Sequence, residues 1–179
     1  MSKFHETPRV ILALALALAM SFAAVATTAT TASASPIAKV TALFMLPTSH
    51  RTSAAVTYDR SSVRLGSRVQ VLEEPNNTGG LVVQLSVWGL TPDRKYDAYV
   101  YTHPCGLIPA SDGTRTQNGP SKEHYAQNEV WLNFKTNVRG AAHSRVSQNW
   151  TFNADQANSV VLLSSNAARV LACLTVPFK

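Results

Sequence analysis

Beyond its apolar N-terminal stretch, this chain of 179 residues carries four histidines, His50, His103, His124 and His143, and two cysteines, Cys105 and Cys173. Imidazole and thiolate are the side chains that hold copper and zinc, so a metal centre would be built from these residues. The stretch Tyr96 to Gly106 reads YDAYVYTHPCG. In an extended strand Tyr99, Tyr101 and His103 fall on the same side. His103 and His124, joined by a phenolate from Tyr99 or Tyr101, would make a small metal site. Tyrosine is a poor ligand at neutral pH, because its pKa is about 10. The bland reading sets loop histidines in water and packs both tyrosines on a half-buried sheet surface. His50, in PTSHR, reads as a turn residue, and His143 as an outward side chain. Other chemistries lack their motifs. There is no G-x-S-x-G, no H-E-x-x-H and no phosphate-binding glycine loop. Glu73 and Glu74 are neighbours on a strand and face opposite ways, while Asp112 and Glu123 share a loop without a histidine-rich partner set.

The two cysteines are too few for a four-cysteine zinc site. Their redox state depends on the compartment, and the N-terminus speaks to that. Lys3 and Arg9 precede VILALALALAMSFAAV, an apolar run of 16 residues, and then a small-residue tract containing Ala32-Ser33-Ala34. The run is short for a membrane span, which needs about 20 residues, and the tract has the A-x-A form cut by signal peptidase. Residues 1–34 are expected to be a secretory signal and residues 35–179 the folded domain, secreted or held at the cell wall. In an oxidising compartment Cys105 and Cys173 are expected to pair, the alternative being two buried thiols. A bridge closing so long a loop would contribute about 4 kcal/mol by the chain-entropy argument.

The formal charge is +6. The basic residues Arg51, Arg60, Arg64, Arg68, Arg94, Lys95, Arg115 and Lys122 are scattered, with no stripe of the kind that binds nucleic acid. The excess would give a weak general attraction to anionic cell-surface components.

The elements that must position any site are strands. Apolar residues alternate with period two, and no helical stripe appears. In LVVQLSVWGL the residues Leu81, Val83, Leu85 and Val87 share one face. In NEVWLNFKTN the residues Val130, Leu132 and Phe134 share one face and Trp131 and Asn133 the other. Further strands are expected in KVTALFML, AAVTYD, RVQVLEE, KYDAYVYTH, AHSRVSQNWTF, SVVLLSS and VLACLTVPF. Turn signals separate them, and one long aperiodic stretch runs from Pro104 to Gln127. That pattern predicts an all-β Greek-key barrel or antiparallel sandwich, with the long loop as the place for function. Trp88 and Trp131 lie off the main apolar faces and are either loop-covered or an exposed contact surface.

Three pieces taken together, LSVWGLTPDRKYDAYVYTHPCG, then GP with HY and NEVWLNFKTNVRGAA, then NSVVLLSS with ARVLACLTV, resemble the copper/zinc superoxide dismutase family. The resemblance is to its exported actinobacterial branch and covers most of Ala54–Phe178. It implies a Greek-key barrel of about eight antiparallel strands, a disulfide matching Cys105–Cys173 and a metal-site loop between Pro104 and Gln127. That family holds copper and zinc with histidines, one of them shared, and an aspartate on the zinc. Here the first H-x-H pair falls on Tyr99 and Tyr101, and the last copper histidine on Leu163. The zinc histidine and aspartate fall near Gln127 and Val130, and the anion-steering arginine falls on Val170, one step from Arg169. His124, in GPSKEHY, is the counterpart of the bridging histidine, displaced by three extra residues.

The expected protein is therefore an exported, disulfide-stapled member of that family without catalytic residues or a cofactor, serving a binding or structural extracellular role. The rival expectation is a metal-dependent dismutase or metal-binding protein that carries copper or zinc on a rebuilt site around His124 and His103.

Overall fold

The computed structural model describes residues 37–121, 123–165 and 169–179. The expected signal segment, residues 1–34, and Lys122 lie outside the described residues. Nine strands carry the fold: β1 (Ala38–Leu43), β2 (Ala55–Thr57), β3 (Arg68–Pro75), β4 (Leu81–Trp88), β5 (Lys95–Tyr101), β6 (Phe134–Lys135), β7 (Ala142–Gln148), β8 (Ser159–Ser164) and β9 (Val170–Thr175). They form a four-stranded sheet in the order β1-β3-β4-β7 and a five-stranded sheet in the order β2-β9-β8-β5-β6. Every pairing within the sheets is antiparallel. The ladders do not close into a barrel: β1, β7, β2 and β6 remain edges among the described residues. A lone parallel bridge between Met45 and Val56 is the only ladder contact recorded there between β2 and the chain leaving β1.

Each of the nine alternating segments contains one strand, and the alternation explains the core. Val69 and Val71 of β3 and Val83, Leu85 and Val87 of β4 meet Tyr96, Ala98 and Val100 of β5 and Val160 and Leu162 of β8. Phe44, Leu90, Leu132, Phe152 and Phe178 fill the remaining space between the sheets. A fully buried valine, leucine or phenylalanine contributes about 1.5–3 kcal/mol, so this layer dominates stability. Tyr96 stacks on Phe134 at 5.1 Å, and its hydroxyl donates to Ser62 O at 2.7 Å, which satisfies the one polar atom it brings inside. Gly140 turns the chain into β7 at φ +70°, where a Cβ would stand 2.0 Å from Leu90 O. Only glycine fits there.

One expectation needs correction, and one left open is resolved. NEVWLNFKTN contributes only the two residues of β6, although it runs beside β5 from Val130 to Lys135. The Asn133 side chain is the cause: its Oδ1 accepts the Ala98 N–H at 2.9 Å, in place of a backbone carbonyl. The two tryptophans also part company. Trp88 is exposed on β4 with the Arg68 guanidinium 5.0 Å from its ring, whereas Trp131 is half-buried under the long loop.

Candidate functional site

Successive residues of a strand point to opposite faces, so the residues of β5 that are not in the core lie on the outer face of the five-stranded sheet. Tyr99 and Tyr101 stand there, joined by Val56 of β2, Val161 and Leu163 of β8, and Cys173 of β9. This second apolar cluster is separate from the core between the sheets. The aperiodic stretch after β5 folds back over it and brings in Cys105, and Trp131 joins the cluster from the segment beside β5. Cys105 and Cys173 form a disulfide with their Cα atoms 5.6 Å apart, so the loop is tied covalently to β9. The structure thus brings Tyr99, Tyr101, Leu163 and both cysteines together.

Leu163 is 4% exposed and Tyr99 8% exposed. The Trp131 ring meets Tyr99 edge-on at 5.8 Å, and the Arg115 guanidinium lies 3.7 Å from the Tyr99 ring centre. A cation that close to an aromatic face gains from the ring quadrupole while still hydrogen-bonding in its own plane. Burial pushes the Tyr101 hydroxyl above its ordinary pKa, partly offset by a hydrogen bond with Arg115 and by its charge. Tyr101 is therefore less able than a free tyrosine to become a phenolate ligand.

Glu129 organises the rim of this cluster. Its side chain is 1% exposed; Oε2 accepts from Trp131 Nε1 at 2.8 Å and Arg115 Nη1 at 3.4 Å, and Oε1 accepts from Gln117 Nε2 at 3.2 Å and from His124 Nδ1. Burial alone would raise the Glu129 pKa, but the hydrogen bonds from His124, Trp131 and Gln117 outweigh it and hold the carboxyl below its ordinary range. Both oxygens are thereby engaged.

Asp112 anchors the other end of the loop, at the close of a 3-10 turn (Pro109–Asp112). Tyr58, at the end of β2, donates its hydroxyl to Asp112 Oδ1 and to Gly106 O, each at 3.0 Å, and Gly106 N–H donates to the same Oδ1 at 3.3 Å. The Oδ2 atom is buried without a hydrogen-bond partner. Burial raises the Asp112 pKa to about 6, against the opposing pull of Tyr58 and Gly106. Burial and the Asp112 charge also push the Tyr58 hydroxyl well above the tyrosine range. Gly113 follows at φ +82°, where a Cβ would meet Thr102 Oγ1 at 2.4 Å and the His103 ring at 2.8 Å.

The histidines are dispersed. His124 joins Glu129, but the exposed His103 is placed elsewhere, with its backbone N–H bonded to Asp112 O and its carbonyl accepting from Ser159 Oγ at 2.7 Å. His143 pairs with Ser86 Oγ at 3.0 Å on the other sheet, and His50 with Pro47 O at 3.1 Å in a turn. Among the described residues no three of His, Cys, Asp and Glu gather where they could share a metal ion. Val170 packs against the Tyr99 cluster, and Arg169 forms an ion pair with Asp59. Sequence reasoning passed over Glu129 and the Tyr58–Asp112 contact. For Glu129 a signal existed, since in NEVW it has the parity of Trp131 and is the one acid in a strand-like segment. Tyr58 and Asp112 lie 54 residues apart, and nothing local links them.

The chain matches no protein-family model and no curated protein.

Proposed function

We propose that this chain is an exported, disulfide-stapled Greek-key protein of the copper/zinc superoxide dismutase kind. Side chains fill its metal face, and it serves outside the cell as a binding or structural protein without turnover. The Greek-key reading is supported by the path of the chain. After β4 it crosses to the other sheet for β5 and β6, and then returns so that β7 lies beside β4.

The observation that carries the non-catalytic reading is the content of the outer face. Copper and zinc need several convergent imidazole, thiolate or carboxylate ligands with free lone pairs. The face instead presents Leu163, the Tyr99 ring under a guanidinium, and a carboxylate whose two oxygens already serve four donors. Those residues do not fit the copper–zinc pair that the resemblance implies. Tyr101, pushed away from ionisation by burial, does not make up the deficit.

The test is metal content and turnover of the oxidised full chain. After incubation with copper and zinc and removal of loosely held ions, mass spectrometry is expected to find well under one metal ion per chain. Superoxide should decay at the rate of buffer alone. One tightly held ion per chain that is lost in His124→Ala, together with metal-dependent superoxide consumption, would instead establish the rebuilt site.

A further inference from the structure

The outer face of the five-stranded sheet has a second end. At the start of β5, away from the Tyr99 cluster, lies a cavity of about 450 Å³ lined by Asp93, Arg94, Lys95, Lys135, Ser164 and Ser165. Lys95 and Lys135 are direct cross-strand partners in the β5–β6 ladder. Like charges set opposite each other destabilise a ladder, so the pair costs the fold something unless a ligand of the opposite sign lies between them. Among the described residues none of Arg94, Lys95 and Lys135 makes an ion pair.

Arg94 is also held in place, while Lys95 and Lys135 are exposed. Arg94 N–H donates to Thr136 Oγ1 and Arg94 O accepts from Thr136 N–H, each at 3.0 Å, and the Arg94 guanidinium lies 5.5 Å from the Tyr96 ring centre. Ser165 Oγ donates to Lys95 O at 3.4 Å, which sets that hydroxyl beside the same strand. Two carboxylates oppose the charge. Asp93 lines the cavity itself, and Asp97 lines a shallower hollow that adjoins it and shares Lys95, Lys135 and Ser165. Three cations against two carboxylates leave the neighbourhood with a net positive charge of one, and the cavity itself holds three cations against Asp93 alone.

We propose that this cavity binds a phosphate group. A phosphate has several oxygens and carries charge on all of them, so it matches two ammonium point charges and a guanidinium fork better than a lone carboxylate does. The cavity opens at the surface, so the phosphate can be a free anion or one unit of a phosphodiester polymer. The polymer source rests on the export reading above. The binding chemistry does not, and it is independent of whether the Tyr99 face holds metal.

Calorimetric titration of the oxidised full chain tests it, with inorganic phosphate in one arm and oligomers of poly(glycerol phosphate) in the other. Saturable binding of inorganic phosphate is expected if the free anion is the ligand, and binding of the oligomers alone if the polymer is. The informative variant is Lys135→Glu, which sets a carboxylate opposite Lys95 and reverses one of the charges facing the ligand. It should weaken binding roughly tenfold or more and at the same time raise the melting temperature, because a repulsive cross-strand pair becomes attractive. Lys95→Gln, which only removes charge, should weaken binding in the same direction. No saturable binding in either arm overturns the proposal. So does an unchanged affinity in both variants when their disulfide and circular dichroism are intact.

Discussion

Glu129 and Asp112 are both buried carboxylates under the same loop, one toward each end of it, and the protein treats their charges in opposite ways. Glu129 receives a guanidinium, an indole N–H, an amide and an imidazole, and its pKa falls below the ordinary range. Asp112 receives a phenol and one backbone N–H on a single oxygen, and its pKa rises to about 6. Both side chains are closed to solvent, but Asp112 is the more deeply enclosed, so heavier desolvation and fewer donors together reverse the sign. The Glu129 end is a charged clamp that closes the loop over Tyr99 and Trp131. The Asp112 end is a shape-matched contact that carries its charge at a cost.

The largest expected effect comes from emptying the clamp. Glu129→Ala would leave Arg115 and Trp131 Nε1 without their buried acceptor, and breaking a buried pair from one side typically costs about 3–5 kcal/mol. Urea unfolding of the oxidised chain should show a loss of that order. Glu129→Gln, which still accepts from Trp131, should lose less. If Glu129→Ala were no worse than a surface substitution, the four contacts would be incidental to stability, and the contrast with Asp112 would fail.

Asp112 predicts a smaller effect of the opposite sign. Its folded pKa is raised above the unfolded value of about 3.9, so its contribution is complete below that pH and is lost as pH rises through about 6. Glu73, buried with one oxygen accepting Lys179 N–H at 2.9 Å, is also shifted upward by burial and acts in the same direction. The difference between wild type and Asp112→Asn therefore isolates Asp112. Near pH 7.5 the variant should be more stable by about 1–2 kcal/mol, since the neutral amide removes a desolvated charge while keeping an acceptor for Tyr58. Near pH 4 the advantage should vanish. A variant less stable than wild type at both pH values would mean that the ionised carboxylate is needed after all.

How much of this was legible before the structure follows from the range of each interaction. The inner face of β4, Leu81 through Val87, is written in period two and was readable, as was a bridge between the two cysteines. Tyr99, Tyr101 and Leu163 share a face because strand parity and the β5–β8 ladder put them there, and parity is a local property. The brevity of β6 was not readable, because it turns on one side-chain amide competing for the Ala98 N–H. Nor was the clamp, whose partners Arg115, Gln117 and His124 come from a stretch with no periodicity and converge only after the loop has folded back. The basic cavity escaped for a related reason. Arg94 and Lys95 are adjacent in the chain, but Lys135 reaches them only through a ladder that loop closure creates.

The smallest effect sharpens the comparison most, because it separates the clamp's buried contacts from its exposed one. The His124 side chain is 55% exposed, while the Glu129 side chain it pairs with is 1% exposed. A polar contact with one partner in water contributes about 0–1 kcal/mol, so His124→Ala should cost little. Glu129 keeps three other donors in that variant, and its carboxyl stays ionised. The Glu129 contribution to stability is present above the unfolded pKa of about 4.3 and fades as pH falls through its lower folded value. Losing one of the donors that hold that value down should bring the acid-unfolding midpoint of His124→Ala to a slightly higher pH than that of wild type. A cost near that of Glu129→Ala would relocate the centre of the clamp from the carboxylate to the imidazole. It would also make His124 the first residue to re-examine for metal.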